Sequence, residues 1–145
     1  MPGLSDSAET NLLKLIFQNV TWANIGDATG LVGSSTAGNL YISLHTADPT
    51  DSGNQTSSES AYTNYARVAV VRSAGGFTVT GDTVSNAAAV TFPACGVTGS
   101  TITHFAIGRA SSSTGEIIGV GTCSLAVTNG ITPNFAIGAL TAVAA

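Results

Sequence analysis

The sequence predicts an all-β fold, a β-sandwich or jelly roll of about seven or eight antiparallel strands with one short N-terminal helix. Three observations lead there. An apolar period of 3.6 residues occurs once, near the start of the chain. From Asn39 onward the period is two, and the short runs are parted by turns rich in Gly, Ser, Asn and Asp. No second helix is available to supply the crossovers that a parallel sheet requires. The 145 residues suit one domain, which at this size buries roughly 68% of its unfolded surface. It divides into a helix and loop over residues 1–38 and a β body over 39–145.

Leu12, Leu13, Ile16, Phe17 and Val20 recur at helical spacing and predict a helix from Ser7 to Val20. Asp6 stands three residues before Glu9, the spacing of a capping box. Trp22 and a loop rich in small residues follow, up to Gly38. Leu40, Ile42 and Leu44 then alternate with Tyr41, Ser43 and His45, a strand with one buried face, and Asp48-Pro49 with Asp51-Ser52-Gly53 closes it. Tyr65 to Ser73 reads as a second strand, and Phe77 to Thr80, Gly81-Asp82 and Thr83 to Ser85 as a tight hairpin. Ala87 to Phe92, Thr101 to Ile107, Glu116 to Leu125 and Ile131 to Val143 supply further strands, with Asn129-Gly130 as a hairpin signal.

Only 8% of the residues are charged, against roughly 25% in an ordinary soluble domain. A surface of Ser, Thr, Ala and Gly can be covered by neighbours without burying unpaired ions, which suits a subunit of a larger assembly. The net charge of −4, with Lys14, Arg67, Arg72 and Arg109 scattered, argues against nucleic-acid binding. No apolar run approaches the roughly 18 residues of a membrane span, and no signal peptide is legible. Without a secretory route, Cys95 and Cys123 are expected as small buried apolar side chains with no disulfide.

Motifs for chemistry are sparse. A nucleophile elbow, a phosphate-cradling glycine loop and a paired-histidine metal helix are all missing from the sequence. His45 with Asp48 and a loop serine would form a hydrolytic triad, or His45 and His104 with a carboxylate a metal site. The alternative is two partly buried strand histidines, and it is the reading adopted: no enzyme, no catalytic residues, no cofactor and no metal. Arg67 lies within a predicted strand and is expected to pair with Glu59 and lock the loop before it.

Four stretches in order carry a resemblance. They are Leu40-Tyr41-Ile42-Ser43-Leu44-His45-Thr46-Ala47-Asp48-Pro49, Tyr65-Ala66-Arg67-Val68-Ala69-Val70, Ser85-Asn86-Ala87-Ala88-Ala89-Val90-Thr91-Phe92-Pro93, and Thr103-His104-Phe105-Ala106-Ile107-Gly108 with Gly115-Glu116. Together they resemble a family of small virion proteins of tailed phages, often labelled tail-fibre-like. The resemblance implies a β-sandwich or jelly-roll body with a structural role. Some proteins of this kind are capsid cement proteins that clamp neighbouring capsomers. The expectation is therefore a capsid decoration protein on the outer capsid surface of a virion, made in the host cytoplasm. Its partners would be the major capsid protein and itself, as a homodimer or homotrimer. A tail or baseplate component touching the host surface, and a carbohydrate-binding module, are the alternatives. Leu12, Ile16, Phe17 and Trp22 are the candidate interface residues, although the same stripe also suits a helix that covers its own sheet.

Overall fold

The computed structural model of the protein describes residues 3–27 and 29–144. Helix α1 (Asp6–Gln18) starts one residue earlier than its spacing predicts. Its N-cap is Ser5, whose Oγ accepts the Ala8 N–H at 3.3 Å. Asp6 and Glu9 fall instead in the first turn, where carboxylates meet the positive end of the helix dipole. Asn19 turns left-handed, with φ 59°, and ends the helix before Val20. The last turn contains no basic residue, and its free carbonyls are served from a distance. Arg72 donates to Leu15 O at 2.8 Å and to Ile16 O, pinning the helix end to the β body.

The strands are β1 (Asn39–His45), β2 (Val68–Val71), β3 (Phe77–Thr80), β4 (Thr83–Asn86), β5 (Val90–Thr91), β6 (Ser100–Gly108), β7 (Ile117–Val127), β8 (Asn134–Phe135) and β9 (Thr141–Val143). All pairings among them are antiparallel. One four-stranded sheet runs β2-β1-β6-β7, a three-stranded sheet runs β3-β4-β9, and β5 pairs with β8. The fold is thus all-β with one N-terminal helix, as the periodicity predicts.

A single core joins the layers. Ile42, Leu44, Ile102, Phe105 and Ile107 from the larger sheet meet Phe77, Val84, Leu140 and Ala142 from the smaller one. Helix α1 closes one side through Leu13 and Phe17. Phe17 packs edge-on against Phe77 with ring centroids 5.3 Å apart.

The predicted hairpin forms, with Gly81 alone at positive φ in the β3–β4 turn. Other runs are shorter than their composition suggests, each for a local reason. The run from Tyr65 pairs only from Val68, because Asn64 turns left-handed and the Tyr65 N–H bonds back to Tyr62 O at 2.9 Å. The Ala87 run narrows to β5 because the Asn86 side chain takes Ala88 O at 2.8 Å. The Ile131 to Val143 run splits into β8 and β9 around a turn in which Ala139 N–H bonds Ala136 O. Asn129-Gly130 makes a turn but no hairpin. Ile131 N–H bonds Thr128 O and only Gly130 has positive φ, a type II arrangement, and β8 leaves to pair with β5.

Candidate functional site

Two features compete as a site: a frame of buried polar side chains, and an apolar groove beside the helix. The frame begins in β1. His45 is fully buried, with Nδ1 2.8 Å from Ser57 O and Nε2 2.8 Å from Ser43 Oγ. A carbonyl can only accept, so Nδ1 carries the proton and Nε2 accepts from the Ser43 hydroxyl. Ser43 is equally buried, so this serine–histidine pair faces no solvent. Its bonds fasten the 46–60 loop to the sheet.

Burial lowers the His45 pKa from its ordinary 6.5, against the upward pull of Ser57 O and Glu59, while Arg67 and His104 add to the lowering. The unfolded chain therefore binds the proton more readily than the folded one. Stability from this group is complete above about pH 6.5 and declines as pH falls through that value toward the lower folded pKa. Urea unfolding at pH 8 and pH 5 should show a larger acid loss for the wild type than for His45→Gln. Equal losses would remove His45 as the cause.

Arg67 and Glu59 form the expected pair, and it is more enclosed than a loop lock needs to be. Arg67 Nε and Nη2 meet Glu59 Oε1 and Oε2 at 2.7 and 2.8 Å, a bidentate fork. Nη1 donates to Ala110 O at 2.9 Å and Nη2 to Ser113 O at 2.7 Å. The Tyr65 hydroxyl donates to Glu59 Oε1 at 2.9 Å and accepts the Leu44 N–H at 3.0 Å. One guanidinium thus ties the 46–60 loop, the segment before β2 and the 109–116 loop together. The shallow cleft over it, lined also by Ser111 and Ser112, has its charges already paired.

Two members of the frame carry no sequence signal. Gln55 is fully buried, its Oε1 accepting the Ala110 N–H at 2.9 Å while its own N–H bonds Gly115 O at 2.9 Å. A Cβ on Gly108 would lie 2.1 Å from Gln55 Cδ, and one on Gly115 2.1 Å from Oε1. Both glycines are thus required by Gln55. Gly108→Ala should cost about 1–3 kcal/mol of stability in a urea titration, through overpacking, and the double variant with Gln55→Ala should lose less than the sum of the two singles. Asn86 does the same work on the other side: Nδ2 donates to Ala88 O and Ala136 O, and Oδ1 accepts the Leu140 N–H at 2.9 Å. Neither Asn54-Gln55-Thr56 nor Ser85-Asn86-Ala87 distinguishes its amide from one in a surface loop.

The expected interface residues separate. Phe17 is 2% exposed and belongs to the core. Leu12 and Ile16 are half-buried and line a groove of about 190 Å³ with Val84, Ile118, Val143 and Ala144. Trp22 lies elsewhere, half-buried in the following loop, where it exchanges two 2.9 Å backbone bonds with Leu31. Leu31, across that bridge, and Val32 after it stand exposed. His104 faces His45 across β1 and β6, its Nδ1 2.8 Å from Thr103 Oγ1. Among the described residues no cluster of three or more His, Cys, Asp or Glu is placed to hold a metal. Cys95 is buried and Cys123 half-buried, both as free thiols, and burial pushes the Cys123 thiol up to about 11.

Each of the four stretches that carry the family resemblance contributes to this frame: Ser43 and His45, Arg67, Asn86, then Gly108 and Gly115. The resemblance is thus a likeness of internal fastening. Comparison with known proteins agrees in kind. The family described as Podophage GP4 fiber I protein gp80 matches residues 3–143. No curated protein matches the chain.

Proposed function

We propose, for a chain that belongs to the podophage GP4 fiber I protein gp80 family and is thereby a phage virion structural protein, that it serves as a compact β subunit of the particle's fibre apparatus. The carrying observation is the reach of the match, residues 3–143, which takes in α1 and every strand. The physical features suit such a part. Its best-built polar groups are spent on holding loops to the sheet, and its surface carries little charge to desolvate when neighbours cover it. We assign it no catalytic role: Ser43 and His45, the one serine–histidine pair joined side chain to side chain among the described residues, are sealed from substrate.

A second reading, a capsid cement protein that binds the major capsid protein at capsomer junctions, is favoured by one observation. The described chain is a single packed β body with no repeated shaft element. In either position the protein would act as a homo-oligomer, gaining effective concentration from each further contact. Cryo-EM of the parent particle with this chain labelled tests both. Label confined to the tail and its fibres supports the first reading. Label repeated over the shell supports the second, and a particle without label overturns both.

A further inference from the structure

The four-stranded sheet has two very different edges. On one side lies β2, four residues long and flanked by Arg67 and Arg72. Short length and flanking charge are ordinary devices for blunting an edge against stray pairing. On the other side lies β7, eleven residues long, with neither a charged residue nor a proline. Its hydrogen-bonded neighbour among the described strands is β6 alone, so alternate N–H and C=O groups along its outer side point away from the sheet without a strand to receive them. Exposed Ile118 lies on the same strand and exposed Val143 on β9 beside it.

We infer that β7 is a self-association edge: two copies join β7 to β7 antiparallel about a two-fold axis, making one continuous eight-stranded sheet from the two four-stranded ones. An unpaired extended backbone selects another extended backbone as its occupant. A second copy fits because a two-fold axis sets residue i of one strand opposite residue j of the other and j opposite i, and β7, which has no charged residue, brings no like charges together in that arrangement. The register with β6 slips at Ile118 and again between Thr122 and Leu125, which leaves two regular stretches, residues 119–122 and 125–127, of which the first is the longer and nearer the middle of the strand. The axis passes there. Gly119 and Gly121 turn inward against Ala142 and Phe105, so Val120 and Thr122 occupy the opposite face of β7; with the axis at Gly121, Val120 of each copy lies opposite Thr122 of the other and the two Thr122 side chains are diagonal neighbours.

The inference rests on the reading of the chain as an assembled virion subunit, but its test is separate from particle labelling. Sedimentation of the purified full chain should show a dimer, and hydrogen exchange should find alternate amides of residues 119–122 protected on the outer side. Val120→Lys with Thr122→Lys should shift the species to monomer, and so should the milder Thr122→Lys if the pair fails to fold. Mixing Thr122→Lys with Thr122→Glu should restore a dimer, which a merely misfolded variant would not do. A wild-type monomer at every accessible concentration, or a dimer indifferent to these charges, overturns the inference whatever the label shows on the particle.

Discussion

Arg67→Ala should lower the free energy of unfolding by about 3–5 kcal/mol, the range seen when one partner of a buried ion pair is removed. The Arg67 side chain is 2% exposed and that of Glu59 16%. Without the guanidinium, the Glu59 carboxylate retains only the Tyr65 hydroxyl as a side-chain donor, in a place where water reaches it poorly. Ala110 O and Ser113 O lose the Arg67 donors at the same time. The damage is not the strength of an attraction so much as the desolvation that the attraction had offset. Replacing both partners, Arg67→Met with Glu59→Leu, should therefore recover much of the loss. The internal control is Arg109→Ala: that residue meets Glu116 at 3.5 Å with both side chains about two-thirds exposed, 69% and 68%. Solvent screening there limits the expected change to about 0.5 kcal/mol. Urea unfolding followed by circular dichroism reads all three. A loss near 1 kcal/mol for Arg67→Ala would mean that the 109–116 loop relaxes enough to hydrate Glu59.

The Arg67–Glu59 pair was legible in the sequence because a lone cation in a strand of small and apolar residues demands a counterion, and Glu59 stood close by in the chain. Helix α1, β1 and the β3–β4 hairpin were legible for a similar reason. Each is specified by its own periodicity and turn residues, so local preference and final structure agree. Gln55 and Asn86 were not, since their role is to bond backbone groups tens of residues away, 55 along for Ala110 and 54 for Leu140. Nothing local distinguishes such an amide from one in a surface loop. The short β5 and β8 escaped for the converse reason: Asn86 and the turn after Ala136 interrupt runs whose composition alone favours longer strands. The apolar stripe of α1 was visible as a stripe, but a period of 3.6 residues reports that one helix face is covered and not what covers it.

Phe17→Ala separates those two kinds of cover, with an expected loss of about 3–5 kcal/mol, that of an aromatic removed from a core. Phe17 is 2% exposed and rests on Phe77, so its truncation opens a cavity between α1 and the β3-β4-β9 sheet. The loss should appear in the isolated protein, before any partner is present. Leu12, five residues earlier, lines the groove half-buried, and Leu12→Ala should cost no more than about 1 kcal/mol because it removes less buried area. If a neighbour in the particle fills the groove, the order reverses in assembly. Leu12→Ala would then incorporate poorly while remaining folded, and Phe17→Ala, where it still folds, would incorporate in proportion to its folded fraction. Urea unfolding paired with incorporation into particles lacking the protein distinguishes the two residues. A large stability loss for Leu12→Ala would make the groove part of the core. A small loss for Phe17→Ala would mean that α1 is held chiefly by Arg72 at its C-terminal carbonyls, not by its apolar face.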